Sequence, residues 1–386
     1  MTNPIEAIRP WQSEMEAIRR DIHAHPELGL EEHRTAELVA RTLESYGIEV
    51  HRGVGKTGVV GVLRNGPGNK AIGLRADMDA LPMTEMTGLP WASTVPGKMH
   101  ACGHDGHTTM LLAAAKYLAQ TRQFSGTVHF IFQPAEEGVG GAQAMLADGL
   151  LERFACDALF GLHNRPNLAV GDYAVCHGTA MAAGAFFDIT LTGRGAHGAA
   201  PEHSVDPVLV ACHLGTALQS IVSRNLSPLE AAVLSLTRIS SGDAYNVIPQ
   251  TAVLAGTARA FTDAAMARIE ARMRGLADGV AAGFGATAAV DFRVIFAPLV
   301  NAPGPTGVLI QAANTIAGEA HVDATRGPSM ASEDFSYMTQ RVPGAYMLVG
   351  IGPSANLHNE AYDFNDAAIT FGAALHARAA ELSLPQ

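Results

Sequence analysis

Strand-like segments alternate with Ala- and Leu-rich helical segments over the first 163 residues, and this alternation constrains the fold most. "GVVGVLR" (58–64), "AIGLRADMD" (71–79), "TVHFIFQ" (127–133) and "DALFGLH" (157–163) are β-branched, aromatic and apolar, as buried strands are. Between and before them lie two helices broken at "HAHPELGLEE", an Ala/Leu-rich helix at 106–119, and the helical stretch "GGAQAMLADGLL". Such alternation predicts an α/β domain with helices on both faces of its sheet. Near Ala183 the order changes to strand (185–197), helix, two strands (231–240 and 251–261), helix (263–282) and strand (286–296). That β-α-β-β-α-β order predicts a ferredoxin-like domain inserted into the larger one. The boundaries place a catalytic domain at 1–183 and 297–386 and an inserted lid domain at 184–296. A last helix carries Ala368, Phe371, Leu375 and Leu382 on one stripe.

A length of 386 residues exceeds one ordinary core, in agreement with two domains. Net charge is −11 without long acidic runs, which argues against nucleic acid or an anionic membrane as partner. No apolar run suffices to span a bilayer, and the N-terminal stretch lacks a signal-peptide core, so the expected location is cytoplasmic. Of the four cysteines, Cys156, Cys176 and Cys212 read as ordinary buried residues. Cys102 stands apart.

Cys102 and His104 occur in "HACGHDGH", two apart, where an extended loop would point both side chains the same way. A thiolate and an imidazole suit a borderline divalent metal, and a following helix N-terminus favours the thiolate. A Gly/His-rich turn with a buried cysteine is the competing reading. In "FQPAEEG" an apolar strand runs into Glu136 and Glu137; adjacent acids face opposite ways, so one can bind metal while the other faces a water. A solvated loop end is the alternative there. His163 in "FGLHN" and His358 in "GPSANLHNEAYDFND" follow other strands of the same domain. Singly each is an ordinary histidine; together Cys102, His104, Glu137, His163 and His358 form a set at the strand ends of one domain. Asp77 and Asp79 in "RADMDALP" share a strand face, as either an orienting carboxylate or an acidic strand cap. Arg259 lies inside an apolar strand and needs a partner: a substrate carboxylate, or a salt bridge such as one to Asp188.

"MHACGHDGH", "QPAEEG", "GLHN", "GRGAHGAAPE", "NVIP", "GTAR" and "SEDF" together resemble the aminoacylase/carboxypeptidase metallopeptidases, in the branch of hippurate hydrolases and auxin-conjugate amidohydrolases. The resemblance implies two divalent metal ions (Mn²⁺, Zn²⁺, Co²⁺ or Ni²⁺) held by Cys102, His104, Glu137, His163 and His358, with Glu136 as general base. It implies that Asp79 supports the metal site, and that Asp77 stands where the wider family has a histidine. It further implies that His197, Asn246 and Arg259 touch the scissile carbonyl and the substrate carboxylate, with Asn246 and Arg259 binding substrate, and that copies pair through the lid domain as a homodimer or higher oligomer. His23 and His25 of "HAHPE" are structural in that branch. The implied reaction is hydrolysis of the amide bond of an N-acyl amino acid. A dipeptidase or carboxypeptidase using the same site, and a non-catalytic binding relative, are the alternatives.

Overall fold

The computed structural model describes residues 3–386; Met1 and Thr2 of the N-terminal stretch lie outside the described residues. The chain forms two compact units, each with its own apolar core. The first comprises the described residues up to Ala180 together with Val300–Gly327 and Asp334–Gln386. The second comprises Met181–Leu299 and Pro328–Glu333.

The first unit is built on an eight-stranded mixed sheet. Its strands lie in the order Glu49–Val54, Gly58–Asn65, Gly126–Gln133, Ala71–Asp77, Ala158–Arg165, Gly344–Gly350, Tyr173–Ala174 and Val322–Asp323. The four central strands run parallel, with Ile72 opposite both Val128 and Ala158, and Gly344 opposite Leu159. Their C-terminal ends therefore share one edge, where open α/β sheets build sites. Leu74, Phe130, Phe132 and Phe160 are fully buried in a core that includes Leu111, Leu118, Ala373 and Ala377 of the helices His104–Thr121 and Ala368–Ser383. Each such large apolar side chain contributes about 1.5–3 kcal/mol on burial. The opposite face carries Gly161 and Arg75, and Phe335 of the short helix Phe335–Thr339 packs there. Helices therefore cover both faces.

Several elements differ from the sequence reading. Glu49–Val54 adds an antiparallel edge strand, only partly buried and so without an apolar signature. The stretch 140–151 is two short helices, Gly141–Ala147 and Leu150–Arg153, divided at Gly149, whose φ is +78°. The last helix is not one-sided: Gly372–Glu381 are all buried. Two of its charged groups pair inside, with Arg378 2.7 Å from Glu381 and the Tyr117 hydroxyl donating to Glu381 at 2.8 Å. No helix among the described residues is long and apolar enough to cross a membrane.

The second unit holds a four-stranded antiparallel sheet in the order Ala232–Ser240, Thr251–Ala260, Ala183–Thr192 and Thr287–Phe296. In chain order these strands are interleaved with the helices Pro207–Leu218 and Asp263–Gly283. Asp206 caps the first helix through Val208 N and Thr262 caps the second through Ala265 N, which fixes where each begins. Ala185, Phe187, Ile189 and Leu191 alternate along one strand into the core beneath those helices. Phe186 and Asp188, on the other face of that strand, are not buried. Cys212, expected to be buried, is exposed: it lies on the outward side of the helix Pro207–Leu218.

Candidate metal centre

Every residue of the expected metal set lies at the C-terminal edge of the parallel strands or in a loop beside it. The sheet ends at Asp77 on one strand and at Gln133 on the next, directly opposite each other. Asp79 follows the first strand end and Glu136–Glu137 follow the second. His163 lies within the strand Ala158–Arg165, one turn of the pleat before its end, opposite Leu348. His358 lies in the loop after Gly344–Gly350, and its backbone N–H donates to Ala101 O at 2.8 Å. That bond ties it to the Cys102 loop, at the cost of a φ of +60° rarely adopted by non-glycine residues.

Cys102 and His104 converge differently from the expected extended loop. Gly103 between them has φ +91°, and His104 is already the first residue of the helix. A Cβ at Gly103 would stand 2.5 Å from Asn164 Oδ1 and 2.6 Å from the Tyr362 hydroxyl, so only glycine fits. The turn leaves the donor atoms of Cys102, His104 and His163 within 4.8 Å of one another. The same limit holds for Cys102, Glu137 and His358, and for His104, Glu136 and Glu137. The six residues thus form one continuous cluster of thiol, imidazole and carboxylate donors.

The imidazoles face this cluster in a defined way. His104 Nδ1 lies 2.9 Å from Asp79 O and 3.1 Å from Asp79 Oδ1, both acceptors, so Nδ1 carries the proton. His104 Nε2 is buried and without a hydrogen bond. His163 Nδ1 likewise donates to Asn164 O at 2.8 Å, leaving Nε2 3.4 Å from Cys102 Sγ. A histidine that anchors Nδ1 outward and turns Nε2 toward other donor atoms is arranged as metal-ligating histidines are. His358 Nε2 is 3.2 Å from Glu137 Oε1.

Asp77 is occupied otherwise. Oδ1 accepts from His107 Nδ1 at 2.6 Å, and Oδ2 accepts from Arg75 at 2.7 Å. Arg75 is wholly buried and also donates to Gln133. His107 Nε2 in turn accepts from Asn164 N at 3.0 Å, and Asn164 Nδ2 donates to Tyr362 at 2.7 Å. Sequence reasoning passed over this network beneath the donor cluster. An arginine inside the apolar strand "AIGLRAD" was its one legible sign, by the same logic that singled out Arg259.

Charge at the cluster is one-sided. Burial, then Glu137 and Glu136, push the Cys102 thiol well up. Burial opposes protonation of His104, but Asp77 and Asp79 outweigh it and raise its pKa to about 10. Burial holds His163 well below its usual value. A thiol beside carboxylates becomes a stable thiolate only when a cation joins them, and the same cation would displace the proton from His104 Nε2, which has no hydrogen-bond partner. The residues present therefore fit a divalent metal. Three other histidines are core residues: burial lowers His100 and His129 to about 4 and His376 to about 3.

Three expected site residues belong to the second unit. His197 lies on a two-residue strand paired with Val247–Ile248, and its Nδ1 accepts from Ala199 N at 3.0 Å. Asn246 is its neighbour: Asn246 O accepts from Gly198 N at 2.7 Å. Arg259 is half-buried, donates to Thr257 Oγ1 at 2.8 Å and Ala258 O at 3.2 Å, and has no ion-pair partner among the described residues. Asp188, the alternative partner, is engaged by Arg238 at 3.0 Å and Arg293 at 2.6 Å.

At the strand ends of a mixed α/β fold, this thiol–imidazole–carboxylate cluster is a donor set suited to divalent metal. The sequence pattern of Peptidase family M20/M25/M40 matches residues 73–382, and the chain belongs to this family. It is 42% identical over 378 residues to hippurate hydrolase of Campylobacter jejuni, covering 98% of both chains. It is 39% identical to an N-acetylcysteine deacetylase of Bacillus subtilis, covering 95% of this chain and 96% of that protein. Among solved structures, a dinuclear metal-binding peptidase of Bacillus subtilis superposes with a TM-score of 0.85 at 34% identity, covering 97% of this chain and 99% of that one.

Proposed function

We propose that the protein hydrolyses the amide bond of N-acyl amino acids, with two divalent metal ions held by Cys102, His104, Glu137, His163 and His358. The observation that carries this is the paired arrangement of His104 and His163, each anchored through Nδ1 and each presenting Nε2 toward Cys102 and the carboxylates. The dinuclear site named for the Bacillus subtilis peptidase supports the count of two. Metal bound here lowers the pKa of water and polarises a carbonyl.

The chain's own residues supply the rest. Glu136 is buried beside His104 and Glu137, and it is the proton carrier: it takes a proton from the attacking water and passes it to the leaving amine nitrogen. Asp79 orients His104 and, through Oδ2, accepts from Glu137 N at 3.0 Å. In the second unit, read as a ferredoxin-like lid domain spanning 184–296, His197 accepts at Nδ1, so its neutral form carries the proton at Nε2. From there it donates to the developing oxyanion, with Asn246 beside it. Arg259, lacking a carboxylate of its own, binds the substrate carboxylate. The same unit serves as the contact between copies in a dimer.

The substrate class follows from hippurate hydrolase and N-acetylcysteine deacetylase, both named for N-acyl amino acids. Hydrolysis of N-benzoyl- and N-acetyl-amino acids, measured against dipeptides on metal-loaded protein, tests it. Preference for the acyl amino acids is expected; turnover of dipeptides alone would replace this reading with that of a dipeptidase.

A further inference from the structure

The segment "HAHPELGLEE" is absorbed by none of the roles above, yet it touches three segments of the metal centre. Glu27 O accepts from Ala80 N at 2.8 Å, next to Asp79. His23 Nδ1 is 2.8 Å from Asp105, next to His104. Glu32 reaches the third, the loop that delivers Glu136 and Glu137.

Glu32 is fully buried at the start of the helix His33–Ser45. One carboxylate oxygen accepts from Ala135 N at 2.8 Å and the other from the Thr57 hydroxyl at 2.6 Å. Ala135 has φ +52°, in the left-handed region that costs any residue with a Cβ. That conformation turns the chain from the apolar strand Gly126–Gln133 into the Glu136–Glu137 pair. It is held from three sides: Glu32 on the N–H, Gly141 N on the carbonyl at 3.0 Å, and Gly29 against the methyl. A Cβ at Gly29 would stand 2.9 Å from the Ala135 Cβ.

We propose that Glu32 is a positioning residue, which acts through Ala135 to hold the carboxylate of Glu136 at the reaction centre. The inference rests on the reading of Glu136 as proton carrier. Glu32 spends both oxygens on neighbours and donates nothing to the metal cluster. Burial raises its pKa, so its environment tolerates a neutral group of the same shape. A glutamine meets that need: its carbonyl accepts from Ala135 N and its amide donates to Thr57, whose hydroxyl can reverse. An aspartate, one methylene shorter, cannot span both partners.

The test compares E32Q, E32D and E32A with wild type on metal-loaded protein and N-benzoylglycine, reading kcat, KM, metal content and Tm. E32Q is expected to stay within about 3-fold of wild type, while E32D and E32A lose roughly 10- to 100-fold in kcat with KM changed little, the scale of a misplaced group. Metal content should hold in all three. If E32A does not fold, the contrast of E32Q with E32D still decides. A wild-type kcat in E32D, or an E32Q as poor as E32D, would overturn the proposal. E136Q is measured alongside: activity there defeats the reading of Glu136 itself, whereas an inactive E136Q with a fully active E32D defeats only the role of Glu32.

Discussion

Asp79 grips His104 twice, through its backbone carbonyl at 2.9 Å and its carboxylate at 3.1 Å, and so fixes which ring nitrogen faces the donor cluster. Its second oxygen accepts the N–H of Glu137, so one side chain holds two members of the cluster. Removing an outer partner of this kind costs roughly 10- to 100-fold in metal affinity. Asp79→Ala should show that loss in a competition titration against a chromophoric chelator. Wild-type affinity in the variant would mean that Asp79 does not orient the site.

Glu136 and Glu137 are neighbours in sequence, and the proposed mechanism gives them different roles. Glu137→Ala should lose bound metal, because a ligand is gone. Glu136→Gln should keep metal and lose roughly 10²-fold or more in kcat, the scale of a general base. Metal analysis and steady-state kinetics on both variants check this, and equal metal loss would reverse the assignment.

The strands, and the Cys102/His104 and Glu136/Glu137 pairs, were legible in the sequence because each left a local signature, whereas His163 and His358 stood out only as members of a set. An apolar strand running into "AEEG", and Cys102 and His104 at a helix start, need no tertiary information to be noticed. What escaped were residues whose meaning depends on distant partners. Glu32 sits among charged residues like any solvated acid, and only folding places it against Ala135, 103 positions away. His107 reads as one more histidine in a His-rich run until Asp77 and Asn164 close around it. The geometry at Gly103 was misjudged for a related reason: an extended chain would also align Cys102 with His104, and only the crowding by Asn164 and Tyr362 reveals the left-handed turn.

Arg259 is a half-buried cation without an acidic partner among the described residues, and burial lowers its pKa. A bidentate bond to a substrate carboxylate would satisfy it. Arg259→Ala should therefore raise KM or lower kcat/KM for free-acid substrates and leave the corresponding amides or esters almost unchanged. Equal losses on both would make Arg259 a structural residue.

His23 predicts a pH dependence of stability. Burial opposes its charge, but Asp105 and Glu85 outweigh burial and raise its pKa from 6.5 to about 9. A folded-state pKa above the unfolded value contributes stability that is fully present below about pH 6.5 and lost as pH rises through about 9. Tm should fall across that window in the wild type, and His23→Gln should flatten the fall. A variant with the wild-type slope would locate the titration elsewhere.

We propose that the Cys102–His104–Glu137–His163–His358 cluster holds the metal on which amide hydrolysis depends. Protein stripped with a chelator and dialysed should hydrolyse N-benzoyl- and N-acetyl-amino acids no faster than buffer. Titration with Mn²⁺, Co²⁺ or Zn²⁺ should restore turnover, with the stoichiometry of restoration at about two ions per chain. Full activity in metal-free protein would contradict the account.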